Sequence, residues 1–404
     1  FLSEQSCFVP TVSSLDIASP GYNKENITEK GFKVNSGDMS HVLSNDMHTP
    51  FQRVYVPKEN QTHIKLDTSK GGNVDWLIAQ LLDVSGADDA HTVTGDYNLR
   101  SPHSRTLKGL TVYRKGMFEL NGVGDYPAWS KADSLLAQSA HARVFYAGDC
   151  AGANFDVRDS GLFIIGKHTQ RTELILGGAT HFNVRHNGEL RIVKGGNRMV
   201  LKSGTELWLS DDAVLRIEDG SSLIVESGAT LRISDRAKLY LQGANALFHV
   251  KGHLVLDSGV RFQPIPGVDG IVGLVKFTNV GHGYGDAKIT SNGARMNFEG
   301  NGKNGSRTLQ IEGPVRFPES GKGKSLSRFD ITRSVVCFGP ESRAYLKGRA
   351  SVTDSRMEPV EWSDSYCGGF HFTGAQGTFE NLDFYRQDTG IYYDQNGVVG
   401  MQSY

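Results

Sequence analysis

The chain of 404 residues carries 43 basic and 44 acidic side chains, a net charge of −1, with 48 glycines against 12 prolines. That balance excludes a chain-wide basic footprint for nucleic acid or an anionic membrane, and no stretch approaches the roughly 20 apolar residues of a membrane-crossing helix. Cys7, Cys150, Cys337 and Cys367 lie far apart and form no C-x-x-C pair, so neither a zinc site nor a disulfide framework is indicated.

Residues 1–104 lack any repeat and are rich in Ser, Asn, Asp and His. Arg53 to Val56 and His63 to Leu66 read as strands, whereas Asn73 to Val84, with Trp76, Leu77, Ile78, Leu81 and Leu82, reads as a short helix. A small irregular N-terminal module is expected there. Leu107 to Leu120 is again strand-like, Ser130 is placed to cap a short helix through Ala140, and Arg143 to Tyr146 and Leu162 to Ile165 lead into a regular region.

From Leu174 to Val250 the chain repeats every eight residues. Leu174, Phe182 and Leu190 are eight apart, and after a slip of one residue so are Met199, Leu207, Leu215, Leu223, Leu231, Leu239 and Leu247. Nearly every one is followed two positions on by a second aliphatic, from Leu176 to Leu241. Apolar residues at i and i+2 describe a short strand whose alternate side chains point inward. A longer period is superimposed: Ser203-Gly204, Leu207, Leu209-Ser210-Asp211, Ala213, Leu215 and Ile217 recur 24 residues later as Ser227-Gly228, Leu231, Ile233-Ser234-Asp235, Ala237, Leu239 and Leu241. Three strand-plus-turn units therefore form one coil. The reading is all-β: a right-handed parallel β-helix of about 24 residues per coil over residues 105–404. Outward residues 24 apart should be neighbours, pairing Trp208 with Arg232, Arg216 with Tyr240, and Ile224 with Phe248. Such cation–aromatic contacts support the ladder.

After Gly259 the rhythm loosens. Gln263-Pro-Ile-Pro-Gly267 and Gly281-His-Gly-Tyr-Gly285 mark excursions, because proline cannot sit in a central ladder. Strand pairs return unevenly from Lys288-Ile289 to Leu382 with Phe384, so loops of varying length are expected between the same strands, and such loops commonly carry binding surface. Phe1 and the strand-like end near Tyr404 suggest that the solenoid continues beyond the chain end.

The Gly-x-x-Leu-x-Ile/Val core, with Ser227-Gly-Ala-Thr230 and Phe379-Glu-Asn-Leu-Asp-Phe384, resembles the large secreted right-handed parallel β-helix proteins of Gram-negative bacteria, notably type IX secretion cargo of Bacteroidetes. The resemblance spans about residues 105 to 404. It implies an extracellular or outer cell-surface location, in a family that mixes adhesins, stalks and polysaccharide-degrading enzymes.

Candidate chemistry is sparse. Gly281-His282-Gly283 matches a motif of polygalacturonase-like hydrolases, but the paired aspartates that inverting hydrolysis needs are missing nearby, and a glycine-rich loop holding a histidine is the better reading. Asp383, Arg386, Asp388 and Asp394, with Tyr385, Tyr392 and Tyr393 as platforms, can hold a sugar or calcium; solvated turns are the favoured alternative. Glu358, Glu361 and Asp364 around Trp362 form a similar acidic loop. Gly321-Lys-Gly-Lys-Ser325 lacks the upstream glycine of a phosphate loop, and the acceptor triplets at Asn26, Asn60 and Asn304 match chance expectation. Cys337 and Cys367 can meet on neighbouring coils, as a bridge or, preferably, as buried thiols.

The expected function is a non-catalytic segment of a large secreted or cell-surface protein acting as stalk, adhesin or scaffold. The alternative is a polysaccharide lyase or glycoside hydrolase with its site on the irregular coils, favoured by a cleft lined by three or more of Asp354, Asp364, His371, Asp383, Arg386 and Asp388. No cofactor is expected beyond optional calcium. Polysaccharide or cell-surface glycan and other surface or secretion-system proteins are the expected partners, with no nucleic acid and no membrane span.

Overall fold

The computed structural model describes residues 154–166, 172–279, 287–321, 325–361 and 368–385, with burial left undefined at 374–377, and the backbone of further strands at 27–28, 31–33, 53–56, 81–85, 92–95, 109–113, 117–120, 143–147 and 391–393. Among the described residues every regular element is a strand, and almost all pairing is parallel. About eight parallel coils of roughly 26 residues result, so the protein is a parallel β-helix. Two compact units divide it, Phe1–Val200 and Leu201–Tyr404.

In the first unit, Arg53–Val56 pairs with Leu81–Ser85 and that strand with Gly109–Tyr113, all in parallel. The helix expected from Asn73 to Val84 is therefore corrected at its end: Leu81–Ser85 is a strand, because ladder partners on both sides outweigh a weak helical spacing. The expected strand at His63 to Leu66, the rest of that helix and the one begun at Ser130 lie outside the described residues. Where the coils become regular, Phe155 stacks on Phe182 at 5.0 Å with rings 6° apart, and Phe163 meets Phe182 edge-on at 5.3 Å. All three are buried, as alternation predicts.

One turn in this unit is held from within. Fully buried Asn197 accepts a hydrogen bond from the Thr172 backbone N–H at 2.6 Å and donates to the carbonyls of Val193 and Lys194 at 2.8 and 3.2 Å. Gly166, at φ +86°, leaves room for it; a Cβ there would sit 2.1 Å from the Asn197 Cγ. Asn197→Ala removes three hydrogen bonds from a buried turn and should cost about 1–3 kcal/mol, read as a lowered urea midpoint. An unchanged midpoint would show that the turn stands without the amide.

The second unit begins with three short strands per coil. Glu206–Leu209 pairs with Thr230–Ile233 and then His253–Leu256; Val214–Glu218 pairs with Lys238–Gln242; Ser222–Val225 pairs with Leu247–Val250. Leu207 lies on Leu231 and Leu215 on Leu239, the expected 24-residue offset. Trp208 pairs with Arg232 and Arg216 with Tyr240, as expected. The third expected pair is wrong: Phe248 lies beside Leu223, and Ile224 beside His249. Between Gln242 and Leu247 the chain has one residue more than between Glu218 and Ser222. One inserted residue exchanges the two faces of a strand, so Phe248 is buried and Leu247 is not. Asp219 holds the enlarged turn by accepting from the Asn245 backbone at 3.0 Å and its amide at 3.2 Å.

Past Gly259 the coil is rebuilt. Pro264–Ile265 is the last strand of the second sheet, where a residue without an N–H does no harm, and Lys288–Ser291 is the last of the first. The third sheet continues through Leu274–Thr278, Arg307–Glu312, Val335–Phe338, Arg356–Pro359 and Asp383–Phe384. A fourth sheet takes over opposite it, with strands Arg261–Phe262, Ala294–Glu299, Leu326–Thr332, Arg343–Thr353, Gly369–Glu380 and Ile391–Tyr393. Between them run buried rings: Phe262 and Phe298 at 5.9 Å, Phe298 and Phe329 at 5.8 Å, Phe329 and Phe317 at 4.9 Å, and Phe317 and Phe277 at 5.5 Å.

Candidate functional site

The C-terminal residues expected to form a binding cluster are placed only in part. Asp383 opens the last strand of the third sheet, and its Oδ1 accepts from the Lys303 ammonium at 2.9 Å. Lys303 also donates to Asn381 at 2.7 Å, and the Asn381 amide donates to Asp354 at 2.6 Å. The excursion after Asn301 thus reaches back over later coils and gives Asp383 and Asp354 hydrogen-bonded partners. Tyr392 is in a strand paired with His371; its side chain, and Arg386, Asp388 and Asp394, lie outside the described residues. So do Gly281-His282-Gly283, Trp362, Asp364 and Cys367. His371 is on the fourth sheet, 5.0 Å from the Tyr345 ring, so the structure assigns it to a different sheet from Asp383.

Glu358 is corrected from loop to strand. It lies in Arg356–Pro359, side chain buried, with the Arg307 and Arg356 guanidinium groups at 3.3 and 3.0 Å. The neighbouring Cys337 donates its S–H to the same carboxylate at 3.6 Å. Burial pushes the Cys337 thiol up to about 12, which keeps it protonated and a poor nucleophile.

A largely buried polar network lies on the side of the third sheet facing away from the apolar core. Successive register places His249, Lys276, Gln310, Cys337 and Glu358 in one column, one per coil. Glu312 stands beside it and collects three donors: Lys276 Nζ at 2.6 Å, Gln310 Nε2 at 2.6 Å and Thr278 Oγ1 at 3.2 Å. Burial works against the Glu312 charge, but the Lys276 hydrogen bond and charge, with those of Gln310 and Thr278, outweigh it and hold the carboxyl below its usual range. The Thr278 hydroxyl has one proton, given to Glu312, so it accepts from His249 Nε2 at 2.9 Å. That fixes the Nε2–H tautomer. Burial, followed by the charges of Lys276 and Lys251, pushes His249 down to about 4. A neutral histidine that donates to Thr278, whose hydroxyl in turn donates to an ionised carboxylate accepting three hydrogen bonds, joins coils and is a weak base.

Elsewhere the outward residues serve the ladder too. Arg232 lies 5.3 Å over the Trp208 ring and binds Asp257 through two nitrogens at 2.8 and 3.2 Å. The Trp208 indole donates to Ser234 at 2.8 Å. Arg216 lies 4.5 Å over Tyr240. Asp211 and Asp212 form a tight turn at φ 51° and 61°, closed by Ala213 N–H to Ser210 O at 3.0 Å. Arg236 binds Asp212 from the next coil.

No protein-family model, curated protein or solved structure matches this chain. Its function must be argued from its own residues. Sequence reading missed the His249–Thr278–Glu312 network and the Arg307–Glu358–Arg356 clamp. Apart from Arg356 and Glu358 on one strand, their bonded members are 29, 34 and 51 residues apart, at no constant interval, so no period could have flagged them. Among the described residues no helix is long and apolar enough to cross a membrane.

Proposed function

We propose that the chain is a non-catalytic segment of a larger secreted or cell-surface protein, acting as stalk, adhesin or scaffold. One observation carries this reading: charged side chains of different coils, most of them adjacent, are spent on each other. Arg236 meets Asp212, Arg232 meets Asp257, Lys251 meets Glu226, Lys276 meets Glu312 and Arg307 meets Glu358, all within 2.6–3.3 Å. Carboxylates held this way keep successive coils in register, whereas acid–base catalysis needs one free to exchange a proton at working pH. The extracellular location, and the type IX system as its route, are proposed with it on the likeness of the repeat alone.

The test is direct. The full chain, incubated with uronic-acid and neutral polysaccharides, should release neither reducing ends nor unsaturated products. Product formation above a heat-treated control would overturn this reading in favour of a hydrolase or lyase on the irregular coils.

A further inference from the structure

The outer face of the fourth sheet breaks the pattern of matched charges. Arg261 pairs in register with Arg295, and Arg295 with Arg328. Arg349 directly precedes Ala350, which pairs with Phe329, the residue after Arg328. Arg261, Arg295 and Arg328 therefore form a column at the strand spacing of about 4.8 Å, and Arg349 follows on the next strand, its N–H donating to the Ser320 carbonyl at 3.0 Å where Ser320 bridges the two strands. Each points outward, because the adjoining residues Val260, Phe262, Ala294, Met296, Phe329 and Ala350 are buried.

Like charges directly opposite one another destabilise a sheet, and the compensation here is slight. Among the described residues Asp330 is the one carboxylate paired with the column, with Arg295 at 2.9 Å and Arg328 at 2.6 Å. Among the described residues neither Arg261 nor Arg349 has an ion pair, and both are exposed. Arg316, lying 4.6 Å over the Tyr345 ring, and exposed Arg343 extend the positive surface to one side. Positive charge remains on this face for an outside anion to neutralise.

We propose that this column binds an extended polyuronate chain, laid along the stack of coils with its carboxylates facing the arginines. A polyuronate carries one carboxylate per sugar at a rise of the same order as the strand spacing, and although its sugars turn about the chain axis, that axis runs straight, so carboxylates recur along the side that faces the column. The guanidinium fork matches a carboxylate with two parallel hydrogen bonds. Duplex nucleic acid fits less well: its charges come about every 1.7 Å of axis and wind away from a straight line. An anionic membrane offers no linear register for the column to read. The inference deepens the adhesin reading above by giving it a ligand class, and rests on that reading only in that the bound polymer is not cut.

The experiment is calorimetric titration of the full chain with polygalacturonate, its fully methyl-esterified form, a thymidine homopolymer and phosphatidylserine vesicles. Polygalacturonate should bind, with an affinity that falls as salt rises, and the esterified form should not. The double variant Arg261→Gln/Arg349→Gln removes two charges that no described residue pairs, and should weaken binding at least about tenfold with an unchanged urea midpoint. Arg236→Gln, paired with Asp212 on another face, should leave affinity as it is. Lysine at positions 261 and 349 should restore part of the binding, charge without the fork. Four results overturn the proposal: no binding of polygalacturonate, equal binding of its ester, equal or tighter binding of the homopolymer or the vesicles, or a double variant that binds as well as the parent. Should the double variant unfold, the ester comparison on the parent chain still decides. Absent binding with intact polymer refutes the column alone, whereas binding with cleavage refutes the non-catalytic reading alone.

Discussion

Phe298→Ala should lower the unfolding free energy of the second unit by about 3–5 kcal/mol, the range for emptying a phenylalanine site in a close-packed core. Phe298 is fully buried and its ring contacts Phe262 at 5.9 Å and Phe329 at 5.8 Å, joining three coils. Neighbours close poorly on the cavity, because Phe329 lies in a strand paired on both sides and Phe262 in a strand paired with that of Phe298. In a stack where each coil is held mainly by its neighbours, an interface loosened in the middle weakens both sides. The measurement is urea denaturation beside Phe384→Ala, whose ring is 42% exposed and whose loss should change little. Equal shifts for the two variants would mean that the aromatic stack does not hold the coils.

Lowering the pH from about 7 to 4 should remove about 2–4 kcal/mol through His249 alone. The histidine titrates near 6.5 when unfolded and near 4 in the fold, chiefly because burial disfavours its charge. Below 6.5 the unfolded chain therefore binds the extra proton first. The contribution is complete above the unfolded value, declines as pH falls, and is gone at about 4. Burial lowers His253 as well, with the same sign, so the comparison is with His249→Gln, which can still donate to Thr278. Glu312, depressed below 4.5, loses its contribution only at lower pH, leaving the window from 4.5 to 6.5 to histidine. Parallel pH profiles for parent and variant in that window would refute the assignment.

The regular coils are legible because the same inward positions recur at a constant interval. Leu207, Leu215 and Leu231 could be placed inside from spacing, and Trp208–Arg232 and Arg216–Tyr240 paired from it. The forecast failed first at Phe248, where one extra residue in a turn reversed the strand, and periodicity contains no rule for where such insertions fall. Of the expected cluster at Asp383, the structure supplies a lysine partner from an excursion 80 residues earlier, a contact that no local pattern encodes.

Alternation of apolar and polar residues, glycine and aspartate at turns, and an interval near 24 determine by themselves that this chain stacks parallel coils, since burial of every second side chain leaves few other solutions. Tertiary structure alone decides which outward residues meet. Arg261, Arg295, Arg328 and Arg349 are separated by unequal stretches, and a chain with a net charge of −1 hides them; only ladder register, set by loops of different lengths, draws them into one line. Backbone pairing is blind to sequence separation, and so the charge pattern of the surface is written in the register.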